Sequence, residues 1–345
     1  MKKFAFTSLL LGALMGGLAS QATAADCAPC QPDCAPCCGF GTFKAGADWL
    51  YWKTHTDVVS PTSIQTTYTD GDASSKSIQQ KFDYKSGYRV NVGYELPGDL
   101  WEVNASYTYV PTRASSGDVF IAPATHQATQ LINTSNTYNN GISTATFYHG
   151  KTSMNLSGVD VDISRTILCG ESLNFSLRPH IGFRGVWIDQ KYHENVILST
   201  SNTNSTNYGV SATKIDFQGY GVEGGLWSEW KFCNGLSIVG HVGGSILYSR
   251  FKQTGFTRET DVATDGTTTT PYNLDSTLVT YDGTPTVDYF VGLQYENCFC
   301  NTNWNVHIGW EQHIWFNLCE INVQVTGGAT HISYQGLTLG LEVGF

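Results

Sequence analysis

Ten cysteines are the first residues of this chain with chemistry to offer. Cys27, Cys30, Cys34, Cys37 and Cys38 form a C-x-x-C-x-x-x-C-x-x-C-C run. Cys169, Cys233, Cys298 and Cys300 lie at or beside turn-forming residues, and Cys319 stands apart. Thiols at such spacing can ligate zinc, pair as disulfides or stay free. Zinc fits poorly: no second Cys or His pair follows at finger distance, and Pro29 and Pro36 sit inside the C-x-x-C pairs. Disulfides within the segment, to a second copy or to other proteins fit better, and the chain calls for no metal and no cofactor.

An acid and an imidazole, Asp189 and His193, stand four residues apart and are the best candidates for hydrolytic chemistry. They lack any G-x-S-x-G, H-E-x-x-H or phosphate-binding glycine loop to work with. A catalytic site is therefore the minor reading. A larger set of charges alternates with apolar neighbours. The bases are Lys44, Arg89, Arg178, Arg184 and Lys214, with His180, His241 and His307 able to titrate. The acids are Asp48, Glu95, Glu102, Asp160, Asp162, Glu223, Asp288, Glu311 and Glu342. Side chains alternate faces along a strand, so these charges share one face and the apolar residues the other. If that face lines a water path, the acid excess favours cations. If Arg and carboxylate pair, the same residues make a plug. With 19 Lys and Arg against 29 Asp and Glu, the chain is unsuited to nucleic acid.

The elements that must position these charges follow from the pattern. Met1-Lys2-Lys3, an apolar stretch to about Leu18, and Ala22-Thr23-Ala24 form an export leader, residues 1–24. Asp26 before Cys27 is a poor context for lipid attachment. A Cys- and Pro-rich segment, 25–42, precedes a β domain, 43–345. No apolar run after the leader is long enough for a membrane helix.

Strand signals recur down the chain. Tyr88, Val90, Val92, Tyr94 and Leu96 alternate with Arg89, Asn91, Gly93 and Glu95. Pro97-Gly98-Asp99 turns the chain into Trp101, Val103, Ala105, Tyr107 and Tyr109. Similar stretches begin near Phe43, Val159, Phe175, Lys214, Leu236, Val287, Trp304 and Gln335, giving ten strands, or twelve if Ile321–Val325 pairs with a neighbour. The phase slips near Gly219-Tyr220-Gly221, which suggests a bulge.

Links alternate in length. Those at 97–99, 168–172, 231–235 and 297–301 are short. Those at 54–85, 111–155, 189–213, 252–285 and 312–334 are long, and the Thr-, Ser- and Asn-rich parts of these, 199–207 and 264–270, read as solvated loops. A soluble β-sandwich also alternates along its strands but does not predict alternating links. The expectation is a transmembrane antiparallel up-and-down β-barrel. Its short turns and both mature termini lie in the periplasm, and its long loops lie outside. Outer-membrane lipid and the barrel-assembly machinery, which reads a terminal Phe such as Phe345, are then its first partners. The cysteines, Cys319 excepted, fall on the oxidising periplasmic side.

Several segments resemble the Legionella-type pore-forming major outer-membrane protein family. They are Phe43-Lys44-Ala45-Gly46-Ala47-Asp48-Trp49-Leu50-Tyr51-Trp52, Ser86-Gly87-Tyr88-Arg89-Val90, Leu177-Arg178-Pro179-His180-Ile181-Gly182-Phe183-Arg184-Gly185, His307-Ile308-Gly309-Trp310-Glu311-Gln312, and Gln335-Gly336-Leu337-Thr338-Leu339-Gly340. The Cys-rich start resembles members from relatives of the chlamydiae, where disulfides stiffen the envelope. The resemblance implies passive diffusion of small solutes and supplies no catalytic or binding residues. A structural or adhesive barrel without an open pore is the alternative, and a barrel hydrolase the remote one.

Overall fold

The computed structural model describes residues 41–56, 62–67, 73–77, 81–97, 101–120, 128–133, 143–168, 174–200, 205–232, 235–262, 268–299, 302–319 and 330–345. The leader, the five N-terminal cysteines, Cys169, Cys233, Cys300 and Ile321–Val325 lie outside them.

Ten long strands form the barrel: β1 (Thr42–Thr56), β2 (Lys85–Glu95), β3 (Trp101–Phe120), β4 (Ser143–Arg165), β5 (Phe175–Thr200), β6 (Ser205–Lys231), β7 (Leu236–Val262), β8 (Thr268–Phe299), β9 (Thr302–Cys319) and β10 (Thr330–Gly344). Each pairs antiparallel with the next. The ring closes where β10 meets β1, from Lys44↔Gly344 to Thr56↔Ile332. Phe345 adds two backbone hydrogen bonds to Phe43 and stacks on its ring. Closure pairs both edges of every barrel strand, which a membrane interior demands. Thr62–Thr67, Ala73–Ser77 and Ala128–Asn133 form a separate three-stranded sheet.

Two sequence expectations are corrected. Much of the expected long links at 189–213 and 252–285 is strand. β5 and β6 stay paired out to Thr200↔Ser205, and β7 and β8 out to Val262↔Thr268. These strands hold 26, 27, 27 and 32 residues, against the roughly 9–11 that cross a bilayer. The Thr-rich stretches lack an apolar face, but β-branched Thr suits a strand once a partner edge is offered. Polarity was mistaken for irregularity.

The second correction concerns the slip near Gly219. β6 pairs with both neighbours there without any register shift, so no bulge exists. What changes is the environment. Toward the inner end, Val222 faces out and Glu223 faces in; toward the outer end, Ile215 and Phe217 are buried inside and Lys214 faces out. Lys214 is therefore not in the lumen. The inversion recurs in other strands: Leu50 and Trp52 in β1, Val110 in β3, Met154 and Leu156 in β4, Val186 and Ile188 in β5, Leu247 in β7, Trp315 in β9, and Ile332 and Tyr334 in β10 are all buried inside. Each strand thus has a lipid-crossing part, apolar outward, and an outer part with an apolar core of its own. Aromatic residues mark both borders of the lipid-facing band. Phe43, Tyr94, Trp230, Tyr295, Trp304 and Phe345 lie at the inner end, and Trp49, Tyr51, Tyr88, Tyr220, Tyr248 and Trp310 at the outer end. Such girdles sit at headgroup level.

Candidate functional site: the barrel lumen

Ten strands about 4.8 Å apart, tilted about 40°, close on a backbone radius of about 10 Å. Arginine side chains from facing walls can meet across that space. The chain uses the reach.

Near the inner end, Lys44 Nζ lies 2.8 Å from Glu102 Oε2 and 3.1 Å from Glu95 Oε2. Arg178 Nη1 reaches the same Glu102 oxygen at 3.1 Å. Asn91 donates to Glu342, and Asn104 to Asp162.

Two guanidinium nodes follow farther out. Arg184, from β5, binds three carboxylates: Asp160 on β4 at 2.8 Å, Glu223 on β6 at 2.7 Å and Asp288 on β8 at 2.9 Å. Arg89, from β2, binds Asp48 on β1 at 3.2 Å and Glu311 on β9 at 2.7 Å. Glu311 also accepts from Thr338 and pairs with His313, both at 2.8 Å. His307 sits 3.3 Å from Asp48, and His241 3.5 Å from Asp288. Asp288 is 3 % exposed, Glu311 6 % and Arg184 9 %, whereas Arg89 and Asp160 keep partial access to solvent.

Aromatic rings complete the charged zone. Trp227 stacks on His241 at 4.5 Å, and the Arg178 guanidinium covers it at 5.9 Å. Phe290 packs beside Trp227 and His307. Sequence patterning missed Trp227 and Phe290, which it assigned to neither face. Their parity with Glu223 and Asp288 within one unbroken strand was the available signal.

Toward the outer end the lumen is filled by the apolar layer. Phe217 on β6 and Trp315 on β9, with two strands between them around the ring, approach to 6.4 Å across the lumen. Trp52 donates its indole N–H to Thr338 and lies 5.0 Å from the His313 ring.

Of the charged or titratable side chains expected along the polar face, Lys44, Asp48, Arg89, Glu95, Glu102, Asp160, Asp162, Arg178, His180, Arg184, Glu223, Asp288, Glu311 and Glu342 stand on the lumen side of their strands, as do His241 and His307, and Lys214 does not. Most are drawn into ion pairs. Asp189 and His193 are both exposed on the outward face of β5. Four residues of strand separate them by about 13 Å, too far for proton transfer between them. Cys298 lies at the inner end of β8.

The nodes also fix a glycine. A methyl group at Gly340 would fall on Asp48 Oδ1 and on the His307 ring. Gly340→Val is expected to push both aside and cost about 1–3 kcal/mol of stability, read by urea unfolding in lipid vesicles. An unchanged midpoint would mean the node can shift freely.

A closed antiparallel barrel with an apolar outer band, two aromatic girdles and a charged lumen defines a bacterial outer-membrane barrel protein. Residues 35–345 match the family described as Legionella pneumophila major outer membrane protein precursor, and the chain belongs to that family. No curated protein sequence matches it. Among solved structures, it is similar to the outer membrane protease OmpT from Escherichia coli, with 11 % identity, 88 % of this chain and 97 % of that chain covered, and a TM-score of 0.45. It is also similar to a major outer membrane protein from Thermus thermophilus, with 13 % identity, 88 % and 99 % covered, and a TM-score of 0.34. For a Pseudomonas aeruginosa FadL homologue the values are 7 %, 89 % and 90 %, and 0.31.

Proposed function

We propose that the protein is a low-conductance diffusion barrel for small solutes, with a preference for cations, closed at rest by the apolar layer in its outer half. One observation carries this reading: the lipid-crossing part of the lumen is charged although the outer part of the same lumen is packed with apolar side chains. Buried ion pairs add little stability over well-packed apolar residues of similar volume. A barrel needing only a stable filling could have used apolar residues throughout. Retained charge with an acid excess suits a path for hydrated cations. Disulfides from the cysteines on the inner side add a structural role in the envelope, as the resemblance to Cys-rich relatives of the chlamydiae suggests.

The contact between Phe217 and Trp315 favours a second reading, a structural barrel with no passage. Planar-bilayer recording of the full chain in a salt gradient separates the two. Brief, small openings with a cation-selective reversal potential are expected, together with multimers on gels that collapse with reductant. A silent barrel, in which removing the apolar layer also fails to give current, would establish the structural reading.

A further inference from the structure

On the outer wall of the barrel, β5, β6 and β7 frame a cavity of about 300 Å³. It is lined by Trp187, Asp189, Asp216, Phe217, Gln218, Arg250 and Lys252. Register fixes its floor: Trp187↔Gln218↔Arg250 is one row and Asp189↔Asp216↔Lys252 the next. The neighbouring row toward the inner end carries Tyr220 opposite Tyr248, and the row beyond it Val222 opposite Ile246. Tyr248, Val222 and Ile246 are each about two-thirds exposed on the lipid side. Trp187 donates to Tyr220 at the same border. The cavity therefore sits where the aromatic girdle ends, at outer-leaflet headgroup level.

Its lining carries two bases, Arg250 and Lys252, and two carboxylates, Asp189 and Asp216. Lys214 takes Asp216 at 2.6 Å, and Lys191 stands opposite Lys214. Lys214 lies outside the lining and draws on Asp216, which leaves Asp189 as the other carboxylate beside Arg250 and Lys252. Arg250 Nε is buried and has no hydrogen-bond partner among the described residues. Buried donors are nearly always paired, and a guanidinium is shaped to hold phosphate oxygens.

We propose that this cavity holds the phosphoryl headgroup of an outer-leaflet glycolipid. Arg250 and Lys252 bind the phosphate, and the acyl chains lie along Val222 and Ile246. A headgroup held there is tied to apolar surface directly beneath it, which a free phosphate could not use. That difference selects the lipid over a soluble anion.

The test uses the full chain in neutral detergent, titrated with diphosphoryl lipid A in mixed micelles and followed by thermophoresis. Saturable binding is expected, weakened about tenfold or more in R250Q/K252Q and unchanged in K53Q, which removes an outward lysine on β1. Heat-modifiable migration on gels reports that each variant is folded. Equal affinity in wild type and R250Q/K252Q would overturn the site. Inorganic phosphate competing at millimolar concentration as well as the lipid does would overturn the lipid assignment.

Discussion

Arg184→Met should destabilise the folded barrel by about 3–5 kcal/mol, the usual result of removing one partner from a buried ionic group. Among the described residues, Arg184 is the one cation that touches Asp160, Glu223 and Asp288 together, and these stand on three different strands at 2.7–2.9 Å from it. Methionine keeps most of the side-chain volume and removes the charge. Three carboxylates are then left facing each other, and Glu223 and Asp288 among them have little access to water. Arg184→Lys should be intermediate, because an ammonium is a compact charge and lacks the planar fork that serves three acceptors. Urea unfolding in phospholipid vesicles reads both. A charge-neutralised variant separates electrostatics from packing: Asp160→Asn, Glu223→Gln and Asp288→Asn, added to Arg184→Met, should recover most of the loss. Failure to recover would mean that Arg184 acts through the packing of its stem.

The closed ring and the sidedness of its charges were readable because a lipid-crossing strand obeys a strict two-residue period. Tyr88 to Glu95 and Trp304 to Glu311 show that period without interruption. It set the faces of Arg89 and Glu311, which then meet at 2.7 Å from strands far apart in the chain. The partners themselves were not readable. Which base meets which acid depends on barrel stagger, and stagger is a property of the closed ring rather than of any strand.

The outer half was misread for a different reason. A single period was assumed to mean one environment from end to end. Val186 and Ile188 share the parity of Arg184, and Met154 and Leu156 share that of Asp160, so apolar and charged residues occupy one face. That is contradictory for a strand wholly within lipid. It is natural for a strand that leaves the membrane, where water lies outside and the lumen becomes the only dry place. The same inversion explains Lys214: a slip was inferred from its surroundings, whereas the strand runs straight and the solvent changes. Strand ends were likewise lost, because Thr- and Ser-rich hairpins in water carry no apolar period to mark them.

If the barrel conducts solutes as proposed, the inversion also locates the barrier to their flow, and this gives the largest functional effect expected of any substitution. A charged constriction admits water and ions once its pairs loosen, but an apolar constriction excludes water until it is widened. The outer layer, with Phe217 meeting Trp315 across the lumen and Trp52, Leu50 and Leu247 fully buried around them, is such a constriction. Phe217→Ser with Trp315→Ser should therefore raise single-channel conductance in planar bilayers by about tenfold or more. Arg184→Met, which disturbs only the charged zone, should change it far less. Each truncation removes a large buried ring and costs about 3–5 kcal/mol, so folding must be checked by heat-modifiable migration. Phe217→Leu with Trp315→Leu provides the control: it keeps the layer apolar and should stay closed. Equal currents from the leucine and serine pairs would show that bulk alone, and not dryness, sets the barrier. A larger gain in Arg184→Met than in the serine pair would move the gate to the charged nodes.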